Sequence, residues 1–204
     1  AGGPASTPLP RLAAQPRVWF NPDLRSRVYF VPGVVVNIIA LVTIMLTSMS
    51  IVREREIGTM EQLIVSPMRP VELIMGKTIP FALIGYIDVF LVTGVGVFWF
   101  DVPIRGSLPL LLFATTLYLL STLGIGLFIS TISRTQQQAM MTMFFFFVPA
   151  ILLSGFVFPI ANMPEVVQYL SYADPLRYFL IIIRGIFLKG NGFDILWPQM
   201  LALA

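Results

Sequence analysis

Four apolar runs, each long enough to cross a bilayer as a helix, constrain this chain more than any other feature. A hydrocarbon core of about 30 Å takes about 20 helical residues. Such runs occupy residues 31–52, 78–100, 108–130 and 140–158, and a further apolar stretch opens at 195–204. Inside a bilayer every backbone polar group needs a partner within the protein, so runs of this kind fold as helices. Composition agrees, with 57% hydrophobic and only 11% charged residues, where soluble domains carry about 25% charge. The expected fold class is therefore an all-α, polytopic membrane protein. A net charge of +3 is too small to argue for nucleic acid. The absence of cysteine and histidine removes disulfides, Cys/His zinc sites, cysteine nucleophiles and histidine general bases.

The most informative connection is 51–77, IVREREIGTMEQLIVSPMRPVELIMGK, with four acids and four bases. Ile57, Met60, Leu63 and Ile64 recur at i, i+3, i+6 and i+7, the face of a short amphipathic helix. Thr59, Glu61, Gln62 and Ser66 fall opposite, and Pro67 ends the pattern. Such a helix lies in the interface plane or offers its polar face to a soluble partner; a solvated loop is the plainer alternative. Gly76-Lys77-Thr78 has the end of a phosphate-binding loop, but the glycine required five positions before Gly76 is Val71. The chain therefore carries no complete phosphate-binding loop.

Polar residues within the spans are the next candidates. Asn37, Thr43, Thr47, Ser48 and Ser50 interrupt the first, where they either bond to a neighbouring helix or line a path. Asp88 lies near the middle of the second. It is either a substrate or proton site, or a structural acceptor for Tyr86, Tyr118 or an amide. Thr122, Gly126 and Ser130 form a small-residue seam on the third. The fourth is a Met/Phe stripe with Met140, Phe144 and Phe147, a kink expected at Pro149, and Ser154. Such a stripe is packing, or a lining suited to varied apolar ligands. Residues 176–188 are too short to span and carry Arg177 and Arg184, which reads as a re-entrant or interfacial helix. Residues 1–16 read as a linker without the order of a signal peptide, 18–20 as a short strand, and Trp19, Tyr29 and Phe30 as an interfacial aromatic belt.

The run Arg53-Glu54-Arg55-Glu56-Ile57-Gly58-Thr59-Met60-Glu61-Gln62-Leu63, then Ser66-Pro67 and Glu72 to Lys77, resembles the signature of ABC-2 type transporter permeases. Arg134-Thr135-Gln136-Gln137-Gln138, Ser154-Gly155-Phe156, Met163-Pro164 and Asp174-Pro175-Leu176-Arg177-Tyr178-Phe179 extend the likeness, as does Trp19 with Asn21-Pro22. The resemblance is to the bacterial multidrug-type members, of type V exporter-like architecture. It implies that residues 1–30 end a periplasmic domain, with a first span and most of that domain upstream, and that 31–204 form the transmembrane domain.

The resemblance further implies a coupling helix at about 53–70 that docks on a separate ABC ATPase subunit. Its residues would be Glu54, Arg55, Glu56, Gly58, Thr59, Glu61, Gln62, Leu63, Pro67 and Arg69, with Ile57, Met60 and Leu63/Ile64 anchoring it to the membrane domain. External helices at about 159–190 would cap the pathway. Two permeases, identical or not, would pair with two ATPases that carry the ATP and magnesium; no cofactor is expected on this chain. Membrane lipid and a periplasmic adaptor are further expected partners, and the bacterial inner membrane the expected location. Five Lys/Arg fall on the Arg53 side and eight on the other, so placing Arg53 in the cytoplasm rests on the resemblance. An amphipathic or apolar substrate, drug-like or lipid-like, would pass Asn37, Thr43, Thr47, Asp88, Met140, Phe144, Phe147 and Ser154. An ion-gradient carrier using Asp88 and a non-transporting membrane anchor are the rival readings.

Overall fold

The computed structural model describes residues 26–59, 69–102 and 104–203, and among them every regular element is helical. The expected linker and strand before residue 26, and Met60 to Met68 of the charged connection, lie outside the described residues. Four helices are long and apolar enough to cross a membrane: α1 (Ser26–Ile57), α2 (Pro70–Phe98), α3 (Leu108–Ile132) and α4 (Gln136–Leu153). The chain is a polytopic α-helical membrane protein. Short helices follow: a 3-10 turn (Ile160–Asn162), α5 (Glu165–Leu170), a second 3-10 turn (Ser171–Ala173), α6 (Pro175–Arg184), a π turn (Gly185–Lys189) and α7 (Phe193–Leu203).

Helix α1 packs along α3, and the sequence shows why. On α3 the buried positions Leu111, Thr115, Tyr118, Thr122, Gly126 and Ile129 recur every three or four residues, one stripe of a helix. The hydroxyls of Thr43 and Thr47 donate to their own helix, to Ile39 O at 2.6 Å and Thr43 O at 2.7 Å. Ser48 and Ser50 do the same to Met45 O and Thr47 O. These side chains need no partner across the interface, so small residues let the backbones close. A Cβ on Gly126 would stand 2.7 Å from Thr47 Cβ, and one on Gly85 of α2 3.0 Å from Thr43 Cγ2. The Ser130 hydroxyl accepts from the Ile51 and Val52 amides at 3.2 and 3.3 Å.

Three boundaries differ from the hydropathy reading. Helix α1 runs past Val52 to Ile57 and stops at Gly58, whose φ of 83° turns the chain left-handed. The Thr59 amide then donates to Glu54 O at 3.0 Å, a Schellman closure. Ile57 therefore ends the span helix, and the expected single face from Ile57 through Met60 to Ile64 is broken at its first step. Helix α2 begins at Pro70, not at Thr78. Proline suits the first helical position, and the Arg69 amide donates to Glu72 Oε2 at 3.0 Å. Helix α4 begins at Gln136 and ends at Leu153, not Phe158. Thr135 caps its start by accepting from Gln138 N at 3.1 Å, and Gly155, at φ 79°, follows its end. Pro149 sits inside α4, which continues through it.

The expected re-entrant stretch is a ten-residue α6 continued by the π turn. Asp174 Oδ1 caps it by accepting from Leu176 N at 3.0 Å, and Pro175 takes the first helical position. Leu176, Phe179, Leu180, Ile182, Ile183, Ile186 and Phe187 are all buried, so this element fills the core. Phe179 stacks on Tyr118 of α3 with ring centroids 4.1 Å apart, a pair of a kind that contributes about 0.5–1.5 kcal/mol beyond its buried area. The π turn sits against the α2–α3 connection, where Arg105 N donates to Phe187 O at 3.3 Å and a Cβ on Gly106 would stand 2.9 Å from Ile186 O. Phe156 closes over Gly33 and packs edge-on to Phe30. The short helices thus hold one end of the bundle, and the charged ends of α1 and α2 lie at the other.

Candidate functional site

The charged end is built from three consecutive side chains of α1. Glu54 is ion-paired with Lys77 of α2. Arg55 Nη1 donates to Ser133 O, just past α3, at 2.9 Å. Glu56 Oε2 accepts from Gln136 Nε2, at the start of α4, at 2.7 Å. The last turn of α1 thereby touches the near ends of all three other spans. Of the residues expected to couple to a partner, these three are engaged within the chain itself. Gly58 and Thr59 form the closure of α1, and Arg69 starts α2 with an exposed side chain. Glu61, Gln62, Leu63 and Pro67 lie outside the described residues. Ile57, expected to face the membrane domain, is exposed.

A cavity of about 700 Å³ opens between α3, α4 and the α5–α6 junction. Its wall is apolar: Ile44 of α1, Gly124 and Phe128 of α3, Phe145, Phe146 and Phe147 of α4. At the junction it is bounded by Leu170, Ala173, Asp174 and Leu176. Among the described residues, Asp174 is the only ionisable side chain in that wall. Its residue is 6% exposed, and Oδ2 has no hydrogen-bond partner among the described residues. Burial pushes its carboxyl up to about 7, against the pull of the Leu176 amide and the Arg177 guanidinium.

The substrate-path candidates scatter. Phe147 lines the cavity. Thr43 and Thr47 are buried in the α1–α3 seam. Asn37 is half-buried, its amide donating to Gly33 O at 2.8 Å. Met140 is half-buried, Phe144 is exposed, and neither contributes to the cavity wall. Ser154 is a capping residue, donating to Ile151 O at 2.7 Å and accepting from Phe156 N at 3.3 Å. Asp88 is half-buried on α2, and its Oδ2 has no partner among the described residues. The two phenols considered for it are taken: Tyr86 pairs with Thr116, and Tyr118 donates to Val36 O at 3.2 Å. The sequence reading missed Asp174 as a wall residue. The signal was an acid two positions before a buried amphipathic turn, which reads as a cap and nothing more.

Four spans tied together at one charged end, and held at the other by short helices of which α6 is buried, define a polytopic helical membrane protein. The family model for ABC-2 type transporters matches residues 14–188, and the chain belongs to that family. Among similar proteins, the probable multidrug ABC transporter permease YbhR of Escherichia coli is 39% identical over 184 residues, 90% of this chain and 50% of its own length. The probable multidrug ABC transporter permease YbhS of the same species is 43% identical over 183 residues, covering 89% and 48%. The inner membrane transport permease YhhJ of E. coli is 35% identical over 199 residues, covering 95% and 52%. The chain spans about half the length of the curated relatives it matches. No solved structure gives a significant match.

Proposed function

We propose that this chain is the transmembrane half of an ABC exporter permease, driven by a separate ATPase subunit and placed in a bacterial inner membrane. The observation that carries the reading is the convergence of four span ends on Glu54, Arg55 and Glu56, next to the segment that carries the family signature. A partner that moves the residues after Gly58 moves every span together. The ATPase, with its ATP and magnesium, docks on that segment through Glu61, Gln62 and Arg69. Two permeases assemble with two ATPases, and the cargo is amphipathic or apolar, in keeping with the aromatic cavity wall.

The test uses full-length protein with its ATPase in liposomes. Glu61→Arg is expected to abolish co-purification or to uncouple ATP hydrolysis from the permease, while wild type retains both. An ATPase that fails to associate with wild type, with Glu61→Arg changing nothing, sinks the reading. The Asp88 oxygen, which has no partner among the described residues, favours a second reading, an ion-gradient carrier. That reading requires transport without any ATPase and its loss in Asp88→Asn at every pH.

A further inference from the structure

We propose that the cavity between α3, α4 and the α5–α6 junction binds an amphiphilic monocation, its ammonium at Asp174 and its apolar body among Phe128, Phe145, Phe146 and Phe147. The volume, about 700 Å³, falls in the range of drug-sized ligand sites, about 300–1,000 Å³. Such sites are mostly apolar with a few polar groups that fix orientation. Here the orienting group among the described residues is a single buried acid, with one oxygen already capping α6 and the other without a hydrogen-bond partner among them. An anion would meet an acidic group with no cation in the cavity wall, and a neutral apolar molecule would leave the carboxyl as it is. A cation gains an ionic hydrogen bond and the faces of the surrounding phenylalanines.

Two other groups bear on Asp174. Arg177, on its own helix, donates to Ser171 Oγ and lies 4.1 Å over the Tyr172 ring; its charge favours the ionised Asp174 carboxyl but does not outweigh burial. Tyr118 of α3 is within electrostatic reach and donates its hydroxyl to Val36 O. The remaining wall residues on α1, α3, α4 and α5 are uncharged. Since the Asp174 carboxyl is held at about 7 rather than the ordinary 3.8, it is ionised at pH 8 and neutral well below 7. An alkylammonium stays charged throughout, so affinity falls as pH drops. The inference deepens the export reading and rests on it only in treating the bound molecule as cargo.

The experiment titrates a dansyl-labelled alkylamine and its N-acetyl counterpart into full-length permease in phosphatidylcholine nanodiscs, with empty nanodiscs as the reference. At pH 8 the amine is expected to bind about ten-fold tighter than the acetylated probe, the scale of one ionic hydrogen bond. The preference should shrink toward pH 5.5. Asp174→Asn preserves the cap and removes the charge, so it should erase the preference and leave the acetylated probe unchanged. Gly124→Leu fills the cavity from a position where an added Cβ meets nothing within 4 Å, and should weaken both probes. Equal binding of the two probes, a preference that survives Asp174→Asn, or indifference to Gly124→Leu would each overturn the site. No ATPase enters the assay. Absence of the amine preference in a permease that co-purifies with its ATPase removes this inference alone, and an amine preference in a permease with which no ATPase co-purifies removes only the export reading.

Discussion

At Gly126 the spacing of two spans is set by the absence of one methyl group. A Cβ there would stand 2.7 Å from Thr47 Cβ and 3.2 Å from Ile44 O, both on α1. Gly124, two positions earlier on the same helix, faces open space. The pair makes a controlled comparison. Gly126→Ala should destabilise the protein by about 1–3 kcal/mol, the usual cost of overpacking. Gly124→Ala should be neutral or stabilising by about 0.5–1 kcal/mol, because alanine is the better helix former. Unfolding titrations in mixed micelles read both, and equal effects would mean that α1 and α3 do not meet at this seam. The seam itself was legible, since Thr122, Gly126 and Ser130 are spaced by four. Which residues they would meet was not legible, because Thr43 and Thr47 could equally have faced a neighbouring helix as donors or lined a path. Only the fold shows their hydroxyls turned back onto Ile39 and Thr43 carbonyls.

At the scale of the element, hydropathy located the spans but misjudged where helices stop. Arg53 to Glu56 and Glu72 to Lys77 are charged, so they read as connection, yet helices continue through both. A helix outside the hydrocarbon core costs nothing extra when its charges are paired or solvated, and Glu54 pairs with Lys77. The better signals were local: Gly58 as a left-handed stop, and Pro70 with Glu72 as a start. The pair joins α1 to α2 while remaining partly exposed, with side chains 28% and 15% accessible, so its contribution to stability should be small, about 0–1 kcal/mol. Its effect on coupling should be larger. Glu54→Lys or Lys77→Glu alone should lower transport-linked ATP hydrolysis with little change in unfolding, and the double exchange should restore it. Full activity in both single variants would show that α1 and α2 need no tie at this end. Of the cavity only the phenylalanine stripe was legible, and of its named residues Phe147 lines the wall. The cavity draws on five helices, α1, α3, α4, α5 and α6, and no period in MMTMFFFFVPA distinguishes Phe144, which is exposed, from Phe147, which is buried.

At the scale of the whole molecule, α2 and α4 carry a broad exposed apolar surface, including Phe90, Leu91 and Phe98 on α2 and Phe144 and Phe145 on α4. Trp99, 81% exposed, marks the end of α2, where the membrane–water interface favours tryptophan. A variant retaining only Trp99 should be quenched more strongly by lipids brominated near the headgroup than by lipids brominated near the chain end; the reverse would put that end at mid-bilayer. The clamp at the charged end has a mechanical consequence for this body. Because Glu54, Arg55 and Glu56 fasten α1 at one end, a rigid tilt of the helix about that turn would be magnified toward the other end. From Glu54 to Gly33 is about 32 Å of helix, so a tilt of about 5° at the clamp sweeps the far end through about 3 Å. That far end carries Gly33, against which the Phe156 ring is seated, and a sweep of this size is enough to unseat an aromatic ring.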